Sequence, residues 1–159
     1  MDKKRYNLFL DDDPGRIPHK LSWIELPLVE WVIVRNYNDF VATILRDGVP
    51  ERVSFDHDLG DTAYQEFHRM NNSDKKINYE NIAEKTGYHA AQWLANHCVD
   101  NNIPIPQYYI HTLNPVGAAN IFSVLENARG YLAKFTIPDL TPEEKAEHRK
   151  KHKERIKDE

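Results

Sequence analysis

Three consecutive carboxylates, Asp11, Asp12 and Asp13, follow the apolar run Leu8-Phe9-Leu10 and lead into Pro14-Gly15. Asp is disfavoured inside strands and Pro-Gly breaks them, so the run reads as a strand with an acidic C-terminal edge. The pattern recurs at Val53-Ser54-Phe55, which ends in Asp56-His57-Asp58. In open α/β sheets, ligands bind outside the carboxyl ends of the strands. Two neighbouring ends of this kind gather several carboxylates, and their repulsion calls for a cation. The chemistry expected is that of a hard divalent metal, Mg²⁺ or Mn²⁺. Asp13 reads as a turn or helix cap.

The elements that must position these groups alternate along the chain. Strands are expected at 6–11, 31–35, 52–56, 107–111 and 131–135. A helix capped at Asn38-Asp39 runs to Arg46 and stops at Gly48. Residues 60–78 turn polar and read as an inserted excursion or lid. A long helix follows over 79–101, with Tyr79, Ile82, Ala83, Ala90, Trp93, Leu94 and Cys98 near helical spacing. Asn114-Pro115 opens a further helix to Ala128, with Gly130 as its stop. Pro18 and Pro27 argue against a regular helix over 14–27. From 141 onward, Thr-Pro-Glu-Glu opens an almost wholly charged segment, read as a solvated helix or frayed tail. The expected architecture is a three-layer α/β sandwich over 1–140 with a mostly parallel sheet, followed by a charged C-terminal helix or tail over 141–159.

Bulk properties remove several function classes. The 159 residues carry a formal net charge of −4, so no global basic field recruits nucleic acid. The one cysteine, Cys98, cannot form an internal disulfide and reads as a small buried apolar residue in a reducing compartment. The start Met-Asp-Lys-Lys-Arg precedes only a short strand, and no stretch approaches membrane-spanning length. A cytoplasmic protein is expected, in the host cytoplasm if phage-encoded. Oligomeric state is not legible.

In order along the chain, Leu10-Asp11-Asp12, Phe55-Asp56, Thr112 and Gly130-Tyr131-Leu132-Ala133-Lys134-Phe135 resemble the receiver domain of bacterial response regulators. The resemblance implies a flavodoxin-like fold of about five strands. The interval from Asp56 to Thr112 is too long for a receiver, which places an insertion around 60–85 after the third strand. Ordinary receivers lack Asp-His-Asp after strand three and His111-Thr112-Leu113-Asn114-Pro115 after strand four. Those two motifs, with Leu-Phe-Leu-Asp-Asp-Asp-Pro-Gly-Arg at the start, resemble the cyclic-phosphate processing receiver domain family. The resemblance implies that Asp11, Asp12, Asp56 and Asp58 surround a metal, with Asp56 as ligand, nucleophile or both. It implies that Thr112 and Lys134 hold phosphoryl oxygens.

Phosphoryl transfer needs charge neutralised on the non-bridging oxygens, together with groups that move protons. His57 and His111 are the candidate proton carriers, since imidazole titrates near neutrality. Asn114 and the amides of Val116 and Gly117 offer an anion-binding helix end, and Arg16 a bidentate clamp. His89 and His97 read as packing or solvent-facing, and the His148/His152 pair has no assigned function. The expected function is a metal-dependent phosphoesterase acting on a cyclic nucleotide or an RNA 2′,3′-cyclic end. The alternatives are a stand-alone phosphoacceptor switch and a non-catalytic cyclic-nucleotide binding module. The dipeptide His57-Asp58 also spells that of an HD-type phosphohydrolase, but here it follows a strand.

Overall fold

The computed structural model describes residues 5–134 and 141–157. Four short parallel strands form one sheet in the order β2-β1-β3-β4: β1 (Asn7–Leu10), β2 (Val32–Val34), β3 (Arg52–Phe55) and β4 (Gln107–Ile110). Around it lie α1 (Tyr37–Asp47), α2 (Asp61–Asn71), α3 (Gly87–Asn101), α4 (Pro115–Lys134) and α5 (Pro142–Lys157). Each strand is at most four residues long, and the inner two, β1 and β3, are buried over nearly their whole length, as parallel strands covered on both faces are.

The register sets Leu8 beside Val32 and Val53, and Leu10 beside Val34 and Phe55. Because side chains alternate, these residues share one face. Apart from Val32 on the edge strand, which is exposed, that face is buried under Phe40 and Ile44 of α1, Ala90, Ala91 and Leu94 of α3, and Ile121 and Leu125 of α4. The strands β2 and β3 flank β1 on opposite sides. Right-handed crossovers therefore send the 11–31 segment and α1 over opposite faces of the sheet. The second outer layer is accordingly mostly coil, with one 3₁₀ turn at Pro18–Lys20, as the two prolines foretell. It covers the face carrying Asn7, Phe9 and Ser54, with Trp31 set edge-on against Phe9 and Tyr109.

Several local expectations are corrected. Residues 131–134 are not a fifth strand but the last turn of α4; Phe135 lies outside the described residues. Ile121, Leu125, Ala128 and Leu132 form one buried stripe at helical spacing. That stripe carries the helix straight through Gly130, which does not stop it. The long third helix begins at Gly87, eight residues later than expected, and Tyr79–Asn81 is a separate 3₁₀ turn. A β-carbon on Gly87 would lie 1.7 Å from the Asp56 carbonyl oxygen, and its N–H donates to the His57 carbonyl at 2.8 Å. Only glycine lets α3 begin against the end of β3. The N-cap of α1 is Asn36, whose side chain accepts from the Asp39 N–H at 2.8 Å.

The polar stretch after Asp58 contains an ordered helix, α2, with Ala63, Glu66 and Met70 buried. The buried Glu66 accepts from Arg69 and from Asn81, which satisfies its charge. The charged C-terminal segment is helical and touches α3. Arg149 is buried and donates to the Asp100 carbonyl at 3.0 Å, while Lys153 pairs with the Asp100 carboxylate at 2.9 Å. Among the described residues, no helix is long and apolar enough to cross a membrane.

Candidate metal centre and its cleft

Parallel strands end in the same direction, so the residues just past β1, β3 and β4 stand side by side. Those residues are Asp11, Asp56 and His111. Backbone bonds fix each of them. The N–H of Asp56 donates to the Leu10 carbonyl at 2.9 Å, that of His111 to the Phe55 carbonyl at 2.9 Å, and that of Asp11 to the Val34 carbonyl at 3.2 Å. The sheet continues for one residue into the site, and a side-chain atom from each of the three lies within 4.8 Å of the others.

All three side chains are buried, Asp11 and His111 completely. His111 places Nε2 at 3.0 Å from Asp11 Oδ2 and Nδ1 at 2.7 Å from Ser54 Oγ. Its ring stacks on Phe9 at 4.5 Å, and Trp23 donates its indole N–H to the His111 carbonyl at 2.7 Å. The coil layer thus seals the imidazole from behind. Burial holds the imidazole below its ordinary pKa, opposed by the bond and charge of Asp11.

Burial, and then the charge of Asp11, push the Asp56 carboxyl up to about 8. The same two causes raise Asp12. Two buried carboxylates this close cannot both ionise cheaply without a counter-charge. Arg16 supplies part of it. Its Nη1 lies 3.7 Å from Asp11 Oδ2 and 3.8 Å from Asp56 Oδ2, beyond hydrogen-bond length, with the guanidinium 5.4 Å over the Trp23 ring. Two carboxylates and an imidazole that converge while short of positive charge fit a divalent cation. The buried Asp11, Asp56 and His111 could hold one.

Asp56 is also on the wall of an open cleft of about 580 Å³. Asp12, Asp13, Arg16, Asp58, Thr112 and Asn114 line it from the loops, and Tyr64 and Phe67 line it from α2. Of the residues expected to form the site, eight of ten therefore lie at the carboxyl edge of the sheet, in the buried cluster or the cleft: Asp11, Asp12, Asp56, Asp58, Arg16, His111, Thr112 and Asn114.

The other two do not face the cleft. His57 is fully buried behind Asp58, with Nδ1 at 2.7 Å from Asp58 Oδ1 and Nε2 at 3.0 Å from the Tyr79 hydroxyl. The Tyr79 oxygen in turn accepts from Asn120 at 3.0 Å. One tautomer satisfies the whole chain: Nδ1–H donates to Asp58, and Nε2 accepts from Tyr79. Lys134 is exposed at the far end of α4, roughly 28 Å along the helix from Pro115. The resemblance to receivers puts Lys134 at the end of a fifth strand, whereas the segment is helix.

The helix end at Asn114 is already in use. Its Oδ1 accepts from the Gly117 N–H at 3.0 Å, and its carbonyl from the Ala118 N–H at 2.9 Å. Asn114 Nδ2 approaches Asp58 Oδ1 at 3.4 Å, and the Asn114 N–H donates to Thr112 Oγ1 at 3.2 Å. Gly117 therefore offers no free amide to an anion.

Sequence reading missed Ser54, Tyr79, Trp23 and Arg35. Ser54 alone carried a signal, as a hydroxyl inside an apolar strand two residues before Asp56, hence on its face. Arg35 directly follows β2, and its Nη1 donates to the carbonyls of Asp11 at 3.1 Å, Asp13 at 2.6 Å and Arg16 at 3.0 Å.

No curated protein matches the sequence, and neither does any solved structure. A family model does, that of the cyclic-phosphate processing receiver domain, over residues 6–127. The matched span holds the four strands, the Asp11–Asp56–His111 cluster and the whole cleft, and ends before Lys134. By this match over most of its length, carried on a parallel sheet of receiver order, the chain belongs to the cyclic-phosphate processing receiver domain family.

Proposed function

We propose that this domain is a metal-dependent phosphoesterase that opens a cyclic phosphate, either a cyclic nucleotide or a 2′,3′-cyclic RNA end. The observation that supports this most is the buried Asp11–Asp56–His111 cluster with Arg16 beside it, at the edge of a cleft wide enough for an organic phosphate. A mixed oxygen and nitrogen donor set suits Mn²⁺ at least as well as Mg²⁺. Such a cation supplies charge neutralisation to phosphoryl oxygens and makes an attacking oxygen more acidic.

The chain's own groups do the rest. Arg16, not locked to either carboxylate, turns its guanidinium to the non-bridging oxygens. Thr112 borders the same space and orients the phosphoryl group. Water adds to phosphorus, one ring P–O bond breaks, and the released alkoxide takes a proton from solvent water in the open cleft to leave a phosphomonoester. Asp58 on the cleft wall accepts the water proton, and His57 fixes the rotamer of that carboxylate from behind. In this scheme His57 is a positioning group and His111 a cation ligand, and neither carries a proton to or from the substrate, since both are fully enclosed. The phosphoacceptor alternative lacks support at Lys134, which lies a helix length away.

Phosphorus NMR of the protein with diamagnetic Mg²⁺ and 2′,3′-cyclic AMP tests the reading. A new phosphomonoester signal is expected, absent with EDTA and absent for Asp56→Asn. An unchanged spectrum across a panel of cyclic mono- and oligonucleotides overturns it. Line broadening without product would point instead to a binding module.

A further inference from the structure

The cleft's lining is of two chemical kinds. One is carboxylates with Arg16; the other is Tyr64 and Phe67 of α2 and Leu113 from the loop after β4. Tyr64 is 59% exposed and Leu113 57%, both large apolar side chains left in water. Neither serves the core. The buried face of α2 is Ala63, Glu66 and Met70, and neither Tyr64 nor Leu113 belongs to the main apolar cluster. Isolated exposed apolar residues need no explanation, but two from separate elements that border the cleft beside Asp56 do.

The wall is also held in place. Tyr64 is braced edge-on by His68 one turn later, with ring centres 4.5 Å apart. The helix beneath is tied down at its first turn, where Glu84 accepts from the Ala63 N–H at 2.8 Å and from the Thr62 hydroxyl. At mid-helix Glu66 is bonded by Asn81 at 2.8 Å. A rigid aromatic surface loses little freedom when a flat ligand settles on it.

A ligand that matches both kinds of lining is anionic in one part and flat and apolar in another. A sugar phosphate has no flat face for Tyr64. A nucleotide has one.

Resting on the phosphoesterase reading for the anionic part, we propose that Tyr64, with Leu113, is the stacking wall for the nucleobase of a cyclic nucleotide. Stacking is tolerant of base identity, because every base has a π-face. The cleft's amide, Asn114, is already engaged with Gly117 and Asp58. Recognition is therefore of a base as such, not of one base.

Equilibrium dialysis of the full chain with Mn²⁺ tests this, using Asp58→Asn, which keeps the three cation-binding residues, wherever the wild type consumes the ligand. The probes are 2′,3′-cyclic AMP, 2′,3′-cyclic UMP and the base-free glycerol 1,2-cyclic phosphate. Both nucleotides are expected to bind about tenfold or more tightly than the base-free compound. Tyr64→Ala should bring that ratio to about one, Tyr64→Phe should keep it, and Leu113→Ser should reduce it. A ratio near one in the wild type, a ratio unmoved by Tyr64→Ala, or no nucleotide binding at all overturns the wall. Tyr64-dependent binding of nucleotides that are never hydrolysed leaves the wall standing and removes the phosphoesterase. Hydrolysis of the base-free compound as fast as of the nucleotides does the reverse.

Discussion

The His57 ring lies against Gly117 so closely that a β-carbon there would sit 2.4 Å from its Cγ and 2.6 Å from its Cδ2. The first turn of α4 and the buried imidazole therefore share one space, and the imidazole sets the position of Asp58. Gly117→Ala should destabilise the protein by about 1–3 kcal/mol, the usual cost of overpacking, read from urea denaturation. Gly130→Ala, on the same helix with nothing within 4 Å, should instead stabilise by about 0.5–1 kcal/mol through helix propensity. Equal effects from the two would mean that His57 yields freely.

Buried carboxylates make the metal-free protein sensitive to pH. With Asp56 raised to about 8, the folded state holds a proton that the unfolded chain releases near pH 4. Stability in EDTA should therefore be greatest at low pH by this term and fall as pH rises from about 4 through about 8. Asp56→Asn should flatten the slope. For the wild type at pH 8, the thermal midpoint should climb with Mn²⁺, by the equivalent of about 2.7 kcal/mol at a hundred times Kd. Calorimetry should show no such site in Asp11→Asn.

Ser54 can serve either tautomer of His111, because a hydroxyl both donates and accepts. If Nε2 is to bind a cation, Nδ1–H must donate to Ser54 Oγ, now 2.7 Å away. Ser54→Ala leaves that donor buried and unpaired. Manganese affinity should drop about 10–100-fold while circular dichroism stays that of the wild type. Unaltered affinity would remove His111 from the ligand set.

His89 ties a second pH dependence to the start of α3. Its Nδ1 accepts the Thr86 N–H at 3.0 Å, a bond that only the neutral ring can make at that nitrogen. Burial first, then Lys85 and His57, hold its pKa below the ordinary value, with the Tyr79 and Tyr88 rings packed against it. The contribution is present in full above about pH 6.5, the unfolded value, and is lost as pH falls through the folded one. Between pH 7.5 and 5.5 the wild type should lose more stability than His89→Gln, which keeps an acceptor at all pH, as read from urea denaturation at the two pH values.

The parts of this molecule that depend on neighbours in sequence are legible in the chain. Leu8-Phe9-Leu10 and Val53-Ser54-Phe55 announce strands, and the acids after them mark the strand ends where a parallel sheet assembles its site. His111 is found by the same rule, one residue past β4. What stays hidden depends on packing between distant segments. Nothing near Glu66 says that its carboxylate is buried, so α2 reads as a polar excursion and its aromatic wall goes unseen. Nothing near Gly87 says that β3 ends against it, so the helix is drawn too long. His57 looks catalytic because histidine beside aspartate at a strand end often is, and only Gly117 and Tyr79 reveal how it is enclosed. The error at Lys134 is different, since the stripe from Ile121 to Leu132 was there to be read.

Arg35 gives the cleft a character of its own. A single guanidinium nitrogen just past β2 gathers the carbonyls of Asp11, Asp13 and Arg16, so the loop bearing a carboxylate of the cluster and its cationic neighbour is stitched to the sheet along its length. The cleft's other lining element, α2, is fastened through Glu84. With both anchored, the site is a fixed notch rather than a jaw. A ligand need not fold the protein around itself, and discrimination rests on the shape already cut.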